Sequence, residues 1–188
     1  MGVWIFNATV ILWLVGEIAV RIRQRRKADE ARTSEYRTLW LFVLLGGGGA
    51  FVAGRVGRAL PSLDWPRGTA LYLVAAAIVL AGLAFRLWAI HTLGQYFRSS
   101  VHVQVGHRVV SDGPYRVLRH PSYTGLMVIF IGAGLSFANG AAMAVFLGCV
   151  TVALLIRIRV EERVLSDELG DAYREFAASR ARLVPYVW

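Results

Sequence analysis

The chain has 188 residues, of which 56% are hydrophobic, and its mean hydropathy of +0.52 is typical of a membrane protein rather than of a water-soluble domain. Its formal net charge is +9, but the basic residues lie beside apolar segments and not along a polar face, so binding to nucleic acid is not predicted. Cys149 is the single cysteine, so an intramolecular disulfide and a thiolate metal centre are excluded, and no metal site is predicted. It lies in an apolar run.

Apolar segments in the N-terminal half predict three membrane spans, at about 3–20, 39–60 and 69–90. No small-residue cleavage site follows Val20, so we interpret the first segment as a retained span and not as a cleaved signal peptide. The second segment contains four consecutive glycines at 46–49, which we interpret as a site of close backbone packing against a neighbouring helix.

Two apolar runs in the C-terminal half, at 125–138 and 141–156, predict the arms of a helical hairpin. They are joined by Asn139 and Gly140, a pair typical of a tight turn. The first arm has about 14 residues and reaches roughly 21 Å, which is less than the roughly 30 Å of a hydrocarbon core. Beyond Arg157, apolar residues recur at helical spacing and predict an amphipathic tail helix near the membrane surface. These apolar positions are Val160, Val164, Leu165, Leu169, Tyr173 and Phe176.

Together, these segments predict an all-α integral membrane protein with about five transmembrane helices, a C-terminal helical hairpin and an amphipathic tail helix. One membrane domain is predicted over 1–188, with the three N-terminal spans in 1–90 and the hairpin and tail in 91–188. No glycine-rich turn follows a strand pattern, which argues against a Rossmann-type nucleotide site.

The distribution of basic residues predicts the orientation of the chain in the membrane. Seven of them follow the first span, whereas the connector at 61–68 contains only Arg67. Because positively charged connectors remain in the cytoplasm, we predict a multi-pass protein of the inner membrane with its N-terminus outside and its C-terminus in the cytosol. The seven basic residues are Arg21, Arg23, Arg25, Arg26, Lys27, Arg32 and Arg37.

The connector before the hairpin, "SDGPYRVLRHPSYTG" at 111–125, combines two arginines, a histidine, two tyrosines and two prolines. Purely structural interpretations exist for single members. Pro121 is favoured in the first turn of a helix, and Tyr115 and Tyr123 suit an interfacial aromatic belt. The N-terminus of the following helix would also favour a bound carboxylate, such as that of an amino acid. Structural interpretations therefore account for single members more easily than for the cluster as a whole.

Arg157 and Glu161 lie four residues apart, so they share a helix face where the last apolar run ends. An ordinary surface ion pair, with Arg157 extended towards water, is one interpretation. However, Glu161 and Glu162 are adjacent acids near the membrane boundary, where charge without partners is costly, and this favours a functional role. Glu17 and Arg86 also lie within the spans, but they rank lower as functional candidates, because the sequence shows no partner for Glu17 and because Arg86 can snorkel. No role is predicted for Glu17, Arg55, Arg58 or Arg86.

The stretch "HRVVSDGPYRVLRHPSYTG", followed after the hairpin by "RIRVEERVLSDELGDAYREF", resembles the C-terminal signature of the isoprenylcysteine carboxyl methyltransferase family. The resemblance covers roughly 93–176, and the N-terminal half matches only as generic membrane helices. Membrane methyltransferases that act on phospholipid amines or small thiols share parts of this signature, as do some sterol reductase relatives. The resemblance therefore predicts the fold more firmly than the substrate.

The resemblance implies a small helical membrane enzyme that binds S-adenosylmethionine on its cytosolic side and releases S-adenosylhomocysteine. Arg157 and Glu161 match the family's Arg-x-x-x-Glu pair and are implied to be catalytic, while Glu162 completes the double glutamate and is assigned to the cofactor. The residues that match the family's cofactor-binding connector are His107, Tyr115, Arg119, His120, Pro121 and Tyr123.

The implied reaction is methylation of the carboxylate of a lipophilic acceptor, either a small molecule or a prenylated cysteine, that reaches the enzyme through the lipid bilayer. A carboxylate is ionised near neutral pH, so positioning and exclusion of water should dominate over proton transfer. The fork-shaped guanidinium of Arg157 suits a carboxylate. Two alternatives are an amine or thiol acceptor, which must lose a proton, and a non-catalytic membrane scaffold. The sequence makes no prediction of the oligomeric state.

Overall fold

A computed structural model describes residues 1–25, 34–96, 109–185 and 188 of the chain. Over these residues the protein is mostly helical, with six α-helices and three short 3₁₀ turns, and the extended segments pair only through isolated bridges. The helices are α1 (Gly2–Arg25), α2 (Ser34–Ala59), α3 (Thr69–Leu93), α4 (Pro121–Leu135), α5 (Gly140–Leu169) and α6 (Asp171–Ala178).

Three of the helices in the described part of the chain are long and apolar enough to cross a bilayer by length and composition. They are α1 over Gly2–Val20, α3 and α5. The short first arm of the hairpin is confirmed, because α4 has 15 residues and is apolar. The predicted number of about five spans stays a prediction.

The tail differs from its predicted form because α5 does not end with the apolar run. The whole helix has 30 residues and extends beyond the apolar run to Leu169. The chain then turns at Gly170, whose φ of 56° lies in the left-handed region that glycine adopts easily. The predicted amphipathic segment is therefore the last part of α5 together with α6. In α6 the side chains of Tyr173 and Phe176 are buried.

Helices α3 and α4 cross in near backbone contact, because glycines line the crossing. A Cβ atom on Gly125 would lie 2.8 Å from the backbone nitrogen of Arg86 and 2.8 Å from the carbonyl oxygen of Gly82. Further along, a Cβ atom on Gly132 would lie 2.8 Å from the carbonyl oxygen of Ala75. Small residues allow membrane helices to approach this closely. The crossing fixes the start of α4 against the middle of α3.

The Asn139 side chain links the start of α5 to the connector between α2 and α3. Its side chain is fully buried and caps α5 by accepting from the backbone N–H of Ala142 at 2.9 Å. The same side chain donates to the carbonyl oxygen of Leu60 at 2.9 Å and to the Asp64 carboxylate at 2.7 Å. The connection between α4 and α5 spans 136–139, so Asn139 belongs to it, whereas Gly140 is the first residue of α5 and not part of the turn. The Asn139 side chain also anchors the connector between α2 and α3.

The glycine run at 46–49 makes fewer close contacts with neighbouring helices than predicted. A Cβ atom at Gly46, Gly47 or Gly48 would meet no described atom within 4 Å. Only Gly49 approaches a neighbour closely, since its Cβ would lie 2.7 Å from the Cβ of Cys149 on α5. The interpretation of the whole run as a packing site was wrong, because a helix turns by about 100° per residue and presents consecutive residues to different sides.

Gly125→Ala should destabilise the protein, because the added methyl group meets backbone atoms that cannot move aside. Overpacking of this kind lowers the free energy of unfolding by about 1–3 kcal/mol. Thermal unfolding in detergent measures the effect. The matched control is Gly148→Ala on α5, where a Cβ meets no described atom within 4 Å and where alanine favours the helix. Equal melting temperatures for the two variants would contradict the tight crossing.

Candidate functional site

Polar side chains cluster around the start of α4. His120 is the residue before the helix, and its carbonyl oxygen accepts from the backbone N–H groups of Tyr123 at 2.9 Å and Thr124 at 3.1 Å. Pro121 occupies the first helical position and is buried, as its helix-starting preference predicts. This local geometry turns the side chains of His120 and Tyr123 towards the same neighbours on α5.

A C-terminal segment lies alongside this connector, which the sequence did not predict. The backbone N–H of Arg119 donates to the carbonyl oxygen of Ala181 at 2.8 Å, and that of His120 donates to Arg182 at 3.1 Å. In return, the N–H of Ala181 donates to the carbonyl oxygen of Val117 at 3.1 Å. The chain after α6 therefore pairs with the connector by its backbone and brings further arginines to the site.

Glu162 is the centre of the first charged cluster. Its carboxylate accepts from Arg119 Nη1 at 3.1 Å and from Arg182 Nε at 3.0 and 3.1 Å. His120 Nε2 lies 3.4 Å from Glu162 Oε1. Arg119 is fixed further by a bond from its Nε to the carbonyl oxygen of Arg180 at 2.8 Å. Glu162 thus holds the connector and the C-terminal segment to α5.

Tyr123 is the centre of the second cluster. Its hydroxyl donates to Glu161 Oε2 at 2.5 Å and accepts from Arg157 Nε at 3.0 Å. His120 Nδ1 lies 3.7 Å from Glu161 Oε1, and its ring stacks on that of Tyr123 with 5.7 Å between centroids. Arg157 is only 4% exposed. The predicted Arg157 and Glu161 pair is therefore bridged by a tyrosine hydroxyl.

The protonation of His120 depends on both carboxylates. Burial lowers the pKa of His120, but hydrogen bonds and charge interactions with Glu161 and Glu162 outweigh burial, so that the pKa is raised above its ordinary value. An imidazolium is stabilised between two carboxylates in this way. Burial also raises the pKa of the Tyr115 and Tyr173 hydroxyls, so both stay protonated near neutral pH.

Tyr115 lies beside the charged clusters rather than in them. It belongs to a 3₁₀ turn, Gly113–Arg116, and packs in an apolar cluster with Ala89, Tyr173 and Phe176. Most of the predicted site residues nevertheless converge on one place, namely Arg119, His120, Tyr123, Arg157, Glu161 and Glu162. The predicted cofactor residue His107 lies outside the described residues.

Glu17 and Arg86 form an ion pair, so Glu17 has a partner that the sequence did not reveal, and Arg86 points to this carboxylate instead of snorkelling. Arg86 Nη2 donates to Glu17 Oε1 at 2.9 Å, and Arg86 Nε donates to Glu17 Oε2 at 3.2 Å. Arg86 is 6% exposed. The two residues are 69 positions apart, on α1 and α3, so no local pattern reveals the pair. Opposite charges at similar depth in neighbouring spans were the available signal.

Comparison with protein families identifies the region that contains this site. The model of the isoprenylcysteine carboxyl methyltransferase (ICMT) family matches residues 74–167, which is half of the 188-residue chain. Protein-S-isoprenylcysteine O-methyltransferase A of Arabidopsis thaliana is 32% identical over 112 residues, covering 58% of this chain and 57% of that protein. Protein YpbQ of Bacillus subtilis is 24% identical over 164 residues, covering 87% of this chain and 96% of that protein.

A solved structure has a similar fold. It is the eukaryotic intramembrane Ras methyltransferase ICMT, with a TM-score of 0.58 and 22% sequence identity, and the match covers 77% of this chain and 52% of that one. The chain spans little more than half the length of the isoprenylcysteine methyltransferases named here. The apolar helices and the shared fold are those of a multi-pass membrane protein.

The stability of the protein should fall as the pH rises through the pKa of His120 in the folded state. That pKa is raised above the unfolded value of about 6.5. The stabilisation is therefore fully present below about pH 6.5 and is lost above the folded pKa. Melting temperatures in detergent between about pH 6 and pH 9 measure the decline.

His120→Gln should flatten this decline, because it removes the titrating group that faces Glu161 and Glu162. His91→Gln, at an exposed position on α3, is the control and should retain the wild-type decline. The same pH dependence in wild type and His120→Gln would show that another group is responsible.

Proposed function

The chain belongs to the isoprenylcysteine carboxyl methyltransferase family, and on this premise we propose that it methylates the carboxylate of a lipophilic, isoprenylcysteine-like acceptor with S-adenosylmethionine as donor. The observation that carries the proposal is the convergence of His120, Tyr123, Arg157 and Glu161 at the junction of α4 and α5, within the region that the family model matches. S-adenosylmethionine would supply an activated methyl group.

The residues around the site fit such a donor, which joins a purine nucleoside to a zwitterionic amino acid. Tyr173 is 5% exposed, and its hydroxyl is a buried polar group without a hydrogen-bond partner among the described residues. A buried hydroxyl of this kind costs about 1–3 kcal/mol until it is paired, and a nucleoside offers suitable partners. Tyr115 and Phe176 supply aromatic surface beside it. The charged cluster around Glu162 suits the amino acid end.

Several residues are proposed to form the donor side of the site. His120 and Tyr123 would contact the donor, whereas Glu162 would act by holding Arg119 and His120 in place. Pro121 starts the helix that presents them. His107 stays a prediction on the same side.

Arg157 is proposed to orient the acceptor carboxylate. Its Nε is bound by the Tyr123 hydroxyl, which is in turn bound by Glu161, so the plane of the guanidinium is fixed. Transfer of a methyl group to a carboxylate forms a C–O bond and needs no proton transfer, because the acceptor is already ionised. Burial of Arg157 keeps water from competing for its charge. Orientation is therefore the main catalytic contribution of these residues.

The proposed setting is the cytosolic surface of the inner membrane. Basic residues that follow the first span support this setting, because the positive-inside rule favours an orientation with the N-terminus outside and with the site and the C-terminus in the cytosol. The lipid tail of the acceptor would remain in the bilayer while its carboxylate meets the donor. Methylation removes the carboxylate charge and so increases the membrane affinity of the product.

Purified protein in detergent should transfer a labelled methyl group from S-adenosylmethionine to a farnesylcysteine analogue. A panel that also contains phospholipid amines and small thiols separates the acceptor classes.

Arg157→Lys should lower turnover about 10²-fold or more, because lysine keeps the charge but loses the two-pronged geometry. The affinity for S-adenosylhomocysteine should remain nearly unchanged. Arg159→Lys, exposed on the same helix, is the control and should keep wild-type turnover.

Two results would contradict parts of this proposal. No labelled product from any acceptor in the panel would exclude the methyltransferase function. Loss of S-adenosylhomocysteine binding in Arg157→Lys would move Arg157 to the donor side and leave the acceptor carboxylate to another cation.

Tyr173→Phe should weaken S-adenosylhomocysteine binding about 10-fold without lowering the melting temperature of the free protein. The substitution deletes only the hydroxyl, which has no described partner to lose in the free protein, whereas a bond to the ligand contributes about 1–1.5 kcal/mol. Calorimetry measures the affinity. Tyr72→Phe, on α3 near the connector with α2, is the control. Equal affinities for wild type and Tyr173→Phe would show that the hydroxyl does not contact the donor.

A further inference from the structure

Arg86 joins three helices through all three nitrogens of its guanidinium. Two of these nitrogens donate to the Glu17 carboxylate on α1. Nε donates to Oε2 at 3.2 Å, and Nη2 donates to Oε1 at 2.9 Å and to Oε2 at 3.1 Å. Nη1 donates to Ser122 on α4, at 2.7 Å to the hydroxyl and 3.0 Å to the carbonyl oxygen. The side chain of Arg86 is 7% exposed and that of Glu17 is 18% exposed. The group is therefore a buried, fully oriented ion pair rather than a surface contact.

The position of Ser122 makes this contact relevant to the site. Ser122 follows Pro121 and precedes Tyr123, so Arg86 binds the backbone of the helical turn that carries the site residues. Gly125 lies one turn further along α4, where a Cβ would be 2.8 Å from Arg86 Cβ. No side chain separates the two helices at this point. A shift of Arg86 would therefore be transmitted directly to the first turn of α4.

Packing alone does not account for a charged pair in this place. Buried ion pairs are costly to desolvate, and well-packed apolar residues of similar volume are often as stabilising or more so. In an apolar span the cost of the charge is higher still. An apolar pair, however, would leave the Ser122 hydroxyl without this donor. What the pair provides beyond packing is a fixed donor, held by Glu17 and directed at Ser122.

We propose that Arg86 is a positioning residue for the methyl transfer: Glu17 fixes its guanidinium, and its bond to Ser122 holds the first turn of α4 so that His120 and Tyr123 face α5. The inference rests on the proposed function, since it specifies how that site is held. It also gives α1 a role, because Glu17 couples this outer helix to the site. Arg86 itself touches none of the reacting groups and acts through Ser122.

The first test separates positioning from stability with a charge swap. Arg86→Glu alone places two carboxylates together and should lower the melting temperature strongly. Adding Glu17→Arg restores an ion pair and should recover most of that loss. Turnover should not recover, because a glutamate at position 86 cannot donate to the Ser122 carbonyl oxygen. Recovery of turnover together with the melting temperature would reduce the role of Arg86 to stability.

The second test uses variants that keep the fold. Ser122→Ala favours the helix and removes only the hydroxyl acceptor, so the melting temperature should change little while kcat falls about 10-fold, as small misplacements of reacting groups do. The KM for the farnesylcysteine analogue should change less than kcat. Arg174→Gln removes an exposed ion pair with Asp171 on α6 and should leave turnover at the wild-type value. An unchanged kcat in Ser122→Ala, together with recovered turnover in the charge-swapped variant, would overturn the proposal, because neither bond from Arg86 to Ser122 would then matter for turnover.

A third measurement is independent of methyl transfer. Hydrogen–deuterium exchange of the peptide that covers 117–124 reports the backbone bonds from Tyr123 and Thr124 to His120. Ser122→Ala should increase this exchange several-fold, whereas Arg174→Gln should not. If wild type methylates no acceptor but Ser122→Ala shows increased exchange, the proposed function fails while the positioning contact stands. Ser122→Ala keeps the bond from Arg86 to the Ser122 carbonyl oxygen, whereas the charge-swapped variant loses both bonds. Unchanged exchange in both variants would overturn the positioning role whatever the activity.

Discussion

Two adjacent carboxylates on one helix, Glu161 and Glu162, are the constraint on which the site depends. Neighbouring residues of a helix point about 100° apart, so each carboxylate gathers a different set of partners. Glu161 binds the Tyr123 hydroxyl, and Glu162 binds Arg119 and the C-terminal segment. His120 lies between them, 3.7 Å from one and 3.4 Å from the other. Two partly buried negative charges are stable here only because the connector supplies cations and donors to both.

The first turn of α4 is consequently held from two sides. The carboxylates of α5 hold His120 and Tyr123 on one side, and Arg86 holds Ser122 on the other. The close crossing at Gly125 removes the remaining freedom between α3 and α4. Each contact alone is a modest contribution, but together they fix the orientation of one turn before any ligand binds. Preorganisation of this kind favours a reaction that depends on alignment rather than on proton transfer.

The helices and the polar stretch of the site were predictable, because each has a local signal. Apolar runs located the helices to within a few residues at most ends, and the spacing of Arg157 and Glu161 marked one helix face. The end of α5 was not predictable from hydropathy, since a helix can leave the membrane without ending, and Gly170 sets its end. Contacts between distant segments, such as that of Arg182 with Glu162, were also missed, because no local sequence pattern indicates which residue is the partner.

The bridge through Tyr123 changes what the Arg157 and Glu161 spacing means. A spacing of four residues on a helix suits a direct ion pair. Such a pair would satisfy both charges without any contact to the connector. With a hydroxyl between them, the position of Arg157 depends on Tyr123, and Tyr123 depends on the turn that begins at Pro121. The side of the site proposed for the donor and the side proposed for the acceptor are therefore coupled through one tyrosine oxygen. A ligand that orders the connector would also order the guanidinium that is proposed to receive the second substrate.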